Sequence, residues 1–433
     1  MAEYMKTGTN SFWIDKKYKP VNKLQENLET DVIIIGGGMT GISTAYQLQK
    51  KKVEFLLVEG GVIGYGSTGK SSGALVPGIE LDFYGTVRRF GEEKTRFLWD
   101  ATLKNINDMK NVIKEQEIKC SLSDVRAFCI AEKRKHLKGL EHEKTLTGKY
   151  SIRGTLLDYE NLKQELNIGE SIYGGLIYDN YAAVMDPFSL VTNLASKIEN
   201  KALFENSRVN NIDKSNGKFV VKTDNGSVSG KRLILATEYM TEELGHLNNI
   251  VHPIKAYTMV TERLNEDLLN NINFNYQKVV WDYGEIYHFI RMTPDNRILI
   301  CGGDSIEHQK DDSVNYKSFN ALRKHLHKVF PQLKDVKINY RWAGILSRTI
   351  GGLPVIGYSK NDKNLLYSAG YGGHGLPMGF LGGRMMSEIC SNSVSEDTKM
   401  LLEAFKVPRK SSIRAGVESK FVSPYISWLK LRG

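Results

Sequence analysis

The stretch Asp31-Val-Ile-Ile-Ile-Gly-Gly-Gly-Met-Thr-Gly41 decides how this chain is read. A short apolar run meets a glycine turn, and the turn opens a segment with helical spacing. Gly36, Gly38 and Gly41 make G-x-G-x-x-G. The first permits a tight turn, the second lets a pyrophosphate approach the backbone, and the third lets the helix pack close to the strand. Met39 and Thr40 open that helix, whose N-terminus offers free N–H groups and a partial positive charge to phosphates. A second apolar run, 53–58, ends in Glu59-Gly60, where the carboxylate can accept both ribose hydroxyls of an adenosine. Strand, glycine turn, helix and an acid about 20 residues on form a dinucleotide fingerprint.

Outward from this unit, the bulk properties bound the rest. A chain of 433 residues is too long for one ordinary core, so two domains are expected. Hydrophobic residues at 41% and charged residues at 25% describe an ordinary globular protein. The net charge of +10 is scattered among acids and carries no nucleic-acid motif, so no nucleic-acid partner is expected. Cys120, Cys129, Cys301 and Cys390 show no C-x-x-C spacing, which argues against a zinc site and fits a reducing, cytoplasmic setting. The first residues lack the apolar core of a signal peptide, and no run of about 18 apolar residues exists to span a membrane. Metal ligands are not expected; His136 and His142 read as surface residues of a charged helix.

Residues 1–27 read as an arm lying on the domain. Residues 60–78, GGVIGYGSTGKSSGALVPG, form a long loop of glycine and hydroxyl residues. Ser67, Thr68, Lys70, Ser71, Ser72 and Gly73 could grip a phosphate or a polar ring edge, and loops this long inside a domain are usually functional. The pattern over 92–116 predicts a long helix that leaves the nucleotide domain. Strands are expected at 202–209, 218–223 and 227–236, with a hairpin at Asn225-Gly226. Val209 and the small residues Ala236 and Thr237 end two of these strands, where a nucleotide can lie against them. Further strands are expected at 257–262, 278–282, 287–292, 298–301 and 337–342. Tyr257, Trp281, Tyr283, Tyr287 and Phe289 make an aromatic face that suits a pocket wall. A second glycine loop, Ala369-Gly-Tyr-Gly-Gly-His-Gly-Leu-Pro-Met-Gly379, opens an amphipathic helix that runs to Cys390. The tail 405–433 is basic; packing on its own domain is preferred over peripheral membrane contact.

Two glycine loops at opposite ends, each opening a helix, are unusual for a nicotinamide enzyme. The chain resembles the FAD-dependent D-amino-acid oxidase, glycine oxidase and sarcosine oxidase superfamily. The resemblance rests on the first motif, on GYGSTGKSSGALVPG, and on WAGILSRTIGGLPVIG followed by YSAGYGGHGLPMG. It covers the whole length in the expected order. The branch most similar is that of gamma-glutamylputrescine oxidases, through VTERLNEDL, RMTPDNR and FPQLKDVKINYRW.

The resemblance implies an α/β fold: a discontinuous Rossmann-type FAD-binding domain of the GR2 kind, with a mixed or antiparallel-sheet substrate domain. The expected partition is 28–98, 154–248 and 341–404 for FAD, and 99–153 and 249–340 for substrate. It also implies oxidation of a C–N bond of an amine, polyamine conjugate or N-alkyl amino compound, by hydride transfer to flavin N5, with the imine then hydrolysed. Gly344, Tyr371, Gly372, Gly373, His374, Gly375, Leu376 and Pro377 fall in the signature expected around the flavin ring, whose reduced form gathers charge that a helix N-terminus can stabilise. Tyr287, Phe289 and His374 are the candidates nearest the chemistry, with His374 mainly part of the flavin-binding turn.

Departures from the family narrow the substrate. Leu346 stands where glycine and D-amino-acid oxidases place a carboxylate-clamping arginine, and Arg348 follows two residues on. Phe289 replaces a pocket tyrosine, and Ile300 stands for the oxygen-activating lysine of sarcosine oxidases. FAD is expected to be non-covalent, since the loop reads Gly66-Ser67-Thr68-Gly69-Lys70 with no histidine. The partners implied are a small-molecule amine, oxygen or another electron acceptor, and a second copy in a homo-oligomer. Other readings stay open: a dehydrogenase that uses another carrier, a flavin-bearing assembly scaffold without turnover, or an NAD-binding protein.

Overall fold

The computed structural model describes residues 11–14, 18–150, 152–284, 287–305, 316–349 and 351–407. The basic tail beyond 407 lies outside these residues. The apolar run before the glycine turn becomes the strand Asn27–Ile35, buried on both faces at its end, as a central parallel strand requires. It pairs in parallel with Phe55–Val58 on one side and Ser227–Leu235 on the other, and Leu365–Ala369 joins Ser227–Leu235 in parallel. Strands from the start, middle and end of the chain thus share one sheet, ordered Val355–Tyr358, Leu365–Ala369, Ser227–Leu235, Asn27–Ile35, Phe55–Val58, Leu203–Phe204. The Asn225-Gly226 turn closes the expected hairpin of Lys218–Lys222 with Ser227–Leu235.

A second sheet runs Ile338–Thr349, Val251–Thr261, Ile298–Ser305, Phe289–Met292, Lys278–Asp282, Ser123–Ala131, Gly174–Val184, Ala74–Leu75, with Gly154–Asp158 beside Gly174–Val184. Its pairs are antiparallel except Lys278–Asp282 with Ser123–Ala131. The helix Tyr316–Val329 buries Phe319, Leu322 and Leu326 against Tyr257, Ile298 and Ile300 on one face of this sheet.

The expected partition does not follow the sheets, since Ala74–Leu75, inside the expected FAD segment, also joins the second sheet. The strands Gly154–Asp158 and Gly174–Val184 belong to the second sheet, as does Ile338–Thr349 through residue 349. The helix Glu92–Glu115 does not leave the nucleotide side. Leu98, Trp99, Ile106 and Met109 share a core with the helices Met39–Lys50 and Gly375–Cys390, and Asn105 Nδ2 donates to the Pro377 carbonyl at 2.8 Å. A hydrophobic face shows that a helix is buried without showing which sheet it is buried against. His136 is also corrected: it is buried on the helix Arg134–Gly148 beside Tyr283, whereas His142 is exposed. Among the described residues, no helix is long and apolar enough to cross a membrane.

Candidate active site

The two glycine motifs meet in space. The helices Met39–Lys50 and Gly375–Cys390 cross where Gly379 and Gly383 face Thr40 and Ser43. A Cβ added at Gly383 would lie 2.4 Å from Ser43 Oγ, so the backbones approach as only glycine allows. Ser43 Oγ donates to the Phe380 carbonyl at 3.1 Å. Thr40 and Tyr371, 331 positions apart, share a hydroxyl–hydroxyl bond of 2.8 Å, and the Tyr371 hydroxyl donates on to Ser368 Oγ at 2.7 Å.

Between the motifs runs one cavity of about 860 Å³. At its first end lie Gly36, Gly38, Met39, Thr40, Glu59 and Gly60. Gly36 has φ of 109°, and a Cβ there would sit 2.6 Å from the Ala236 carbonyl oxygen. The missing side chain of Gly38 would meet only Thr68 Oγ1, at 3.3 Å, so the backbone is open to a ligand. Glu59 Oε2 and Oε1 accept from Gly37 and Gly61 N–H at 2.6 and 2.7 Å. Burial raises the Glu59 pKa, and those N–H groups oppose the rise. Val209, Ala236 and Thr237 complete this end. An open helix terminus, a fixed acid at the next strand end and small residues opposite fit the adenosine-diphosphate half of FAD.

The 60–78 loop contains a short helix, Ser67–Lys70, and is clamped from three directions. Ser67 Oγ donates to the Ile345 carbonyl at 2.5 Å, and Trp342 Nε1 donates to the Lys70 carbonyl at 2.9 Å. Trp13 of the N-terminal arm donates to the Ser71 carbonyl at 2.9 Å. The guanidinium of Arg291, fully buried, donates to the carbonyls of Ser72, Gly73 and Met185 at 2.9, 3.1 and 2.8 Å. Ser67, Thr68, Lys70, Ser71 and Ser72 line the cavity, and Thr68 Oγ1 accepts the Met39 N–H at 3.0 Å.

At the far end stand Gly344, Tyr371, Gly372, Gly373, His374, Gly375 and Leu376, and Tyr287 and Phe289 also line the cavity, with the Tyr287 hydroxyl so close to Gly373 that a Cβ there would lie 2.2 Å from it. The helix starting at Gly375 has no side-chain cap, so its terminal N–H groups stay available. Burial, then the charge of Arg348, push the His374 pKa down to about 4, so this imidazole is neutral near pH 7. Arg348 pairs with Glu80, and Glu80 Oε2 accepts the Gly373 N–H at 2.6 Å.

Several expectations shift. Gly41, Gly73 and Pro377 do not line the cavity. Gly41 allows the helix to touch the strand, where a Cβ would lie 1.8 Å from the Gly36 carbonyl oxygen. Gly73 takes φ of 74° in a turn bound to Arg291, and Pro377 starts the helix from within the core. Side chains alternate along strands, so Phe289 and Cys301 face the cavity while Ile300 and Tyr257 face the helix-side core. Ile300 therefore packs in the core and does not line the cavity. Trp281 and Tyr283 do line the cavity.

Glu80 and Glu238 were not anticipated. Glu238 accepts from Ser347 Oγ at 2.5 Å and from the Gly370 and Tyr371 N–H groups at 3.0 and 3.4 Å, fixing the second glycine loop. No local pattern marks either acid, because the partners that tie them to the second glycine loop are distant in sequence. Asp282, His288 and His325 also bring ligand atoms within 4.8 Å of one another. The two rings stack, with centroids 3.9 Å apart, and His288 Nδ1 meets Asp282 Oδ2 at 3.0 Å.

Comparisons with known proteins show the family and the fold. The family model for FAD dependent oxidoreductases, DAO, matches residues 31–389. Gamma-glutamylputrescine oxidoreductase of Escherichia coli is 30% identical over 379 residues, 86% of this chain and 86% of its own. The probable oxidoreductase OrdL of Haemophilus influenzae is 28% identical over 403 residues, 91% of this chain and 89% of its own. The structure of glycine oxidase from Geobacillus kaustophilus superposes with a TM-score of 0.75 at 18% identity, over 89% of this chain and 100% of that one. L-alpha-glycerophosphate oxidase of Mycoplasma pneumoniae, with FAD bound, superposes with a TM-score of 0.68 at 19% identity, over 84% and 95%.

Proposed function

The chain belongs to the DAO family of FAD dependent oxidoreductases, and from that premise we propose that it oxidises a C–N bond of an amine, a polyamine conjugate or an N-alkyl amino compound. Bound FAD would supply the electron sink, taking two electrons and a hydrogen from the carbon that bears nitrogen; the resulting imine hydrolyses in water. Glu59 and the Met39 helix terminus would hold the adenosine-diphosphate half, and the Gly375 helix terminus would face the ring.

The observation that carries the amine reading is the Arg348–Glu80 pair. Arg348 lines the cavity beside the second glycine loop, where it bridges to Tyr371, and a carboxylate already neutralises it. Leu346, two residues earlier, also faces the cavity and offers no charge. A simple amino acid would find no free bidentate clamp here, whereas an amine needs none. The neutral His374 bears on the same step. An amine must be unprotonated before its C–N bond is oxidised, and a ring with a pKa near 4 accepts protons poorly at pH 7. The substrate therefore enters, or becomes, neutral without relying on that histidine.

FAD is held non-covalently, in keeping with a 64–73 loop that has neither histidine nor cysteine. The acceptor is oxygen or another carrier, decided by how fast reduced flavin reoxidises in air. Anaerobic mixing of the flavin-loaded protein with a panel of amines, N-methyl amines and amino acids tests the reading. Amines should bleach the flavin band at about 450 nm faster than amino acids of equal length. A flavin that no member of a broad panel reduces would overturn the amine reading in favour of a scaffold role, and FAD absent from the supernatant of boiled protein would overturn non-covalent binding.

A further inference from the structure

Away from the flavin end, the same cavity is walled by Asp82, Glu143, Tyr178, Tyr181 and Tyr283. The strand Gly174–Val184 would ordinarily turn positions 178 and 181 to opposite faces. A register shift against the Val125–Ala127 stretch of its neighbour intervenes, and both tyrosines face the cavity with rings stacked 4.7 Å apart. Tyr178 donates to Glu143 Oε1 at 3.2 Å. Glu143 Oε2 is buried without a hydrogen-bond partner, the Phe83 and Tyr84 N–H groups at the start of the neighbouring helix act on the same carboxyl and oppose the rise of its pKa, and no lysine or arginine pairs with it among the described residues. Asp82 caps the helix Phe83–Phe90 through the Gly85 N–H and accepts from the Tyr283 hydroxyl.

A carboxyl with an unused, buried oxygen in a wall of aromatic rings offers an acceptor and π faces that suit an ammonium group. Burial, then the charge of Asp82, lift the Glu143 pKa to about 8, the response of an acid that lacks a counter-charge. Asp82 follows Glu80 by two positions, and Glu80 touches the Gly373 N–H, so the acidic wall begins within about 7 Å of chain from the flavin end.

We propose that Glu143 and Asp82, with Tyr178, Tyr181 and Tyr283, form a subsite for a second ammonium group, so that the substrate is a diamine or an amine bearing a distal cation. This rests on the amine reading above and sharpens it. A short alkyl chain would place one nitrogen beside the flavin and the other against Glu143.

Isothermal calorimetry on the flavin-loaded protein under nitrogen tests this without requiring turnover. The probes are α,ω-diamines of three to six carbons and monoamines of the same lengths. A diamine should bind at least about tenfold more tightly than its monoamine partner, and Glu143→Gln should cut that preference by about tenfold. Asp82→Asn, which keeps a helix-capping side chain, should lower it in the same direction, and the flavin spectrum of each variant reports folding. Equal affinity for monoamines and diamines, or a preference untouched in both variants, overturns the subsite. If amines bleach the flavin yet show no such preference, the oxidation reading stands and the subsite falls. If diamines bind preferentially and the flavin stays oxidised, the subsite stands and the oxidation reading falls.

Discussion

Arg291 is a guanidinium with no exposed surface, and its charge is answered by carbonyl oxygens. Burial lowers its pKa to about 10, still charged at neutral pH. Arg291→Met would remove the donor that the Ser72, Gly73, Met185 and Met292 carbonyls share and release the loop that carries Ser71 and Ser72. A loss of about 3 kcal/mol in denaturant unfolding and a lower flavin-to-protein ratio are expected. His374 gives a second test at this scale. With its pKa near 4, flavin reduction should show no limb around pH 6.5 that disappears in His374→Asn; such a limb would make the ring a working base. The glycines and Glu59 could be read from sequence because each requirement is local: a turn, a close approach, an acid at the next strand end. Glu80 and Glu238 could not, since the N–H groups they accept from lie 293 and 132 positions away.

The elements that matter most are the helices Met39–Lys50 and Gly375–Cys390. Their contact is set by Gly379 and Gly383 and needs no large apolar side chain. Gly383→Val would force the helices apart, costing about 2 kcal/mol of stability and weakening FAD retention more than a surface change does. Thermal unfolding and flavin content after desalting measure both. Both helix starts were legible, because glycine runs and hydrophobic spacing announce them. Which helix meets which was not, since packing partners are chosen by the tertiary fold. The same limit explains Ile300 and Tyr257: composition marks a strand, but its two faces are told apart only when the neighbours are known. The 178–181 bulge is a further case, invisible until Gly174–Val184 is paired with Ser123–Ala131.

Over the whole molecule, one cavity joins two sheets and gathers acids along its wall. Glu59, Asp82, Glu143 and Glu238 all have pKa values raised chiefly by burial. In the folded state they bind protons that the unfolded chain has already lost. For Glu143 that window runs from about 4.5 to about 8, so its contribution is fully present below the window and is lost as pH rises through it. Thermal midpoints of the flavin-free protein should fall across that range, and Glu143→Gln should flatten the slope; an unchanged slope would mean that Glu143 ionises freely. The fold class was legible because the dinucleotide unit and the second glycine signature bracket the chain. The division of 154–184 and 341–349 was not, because strand membership depends on pairing and leaves no mark in composition. Motifs 331 positions apart would hold the two ends of one FAD. A crystal structure of the flavin-loaded protein tests it most directly. The expected result has the ribose hydroxyls on Glu59 and the ring beside Gly372–Leu376, facing Tyr287 and Phe289. A ring bound elsewhere, or a dinucleotide that leaves the second glycine loop empty, would contradict it.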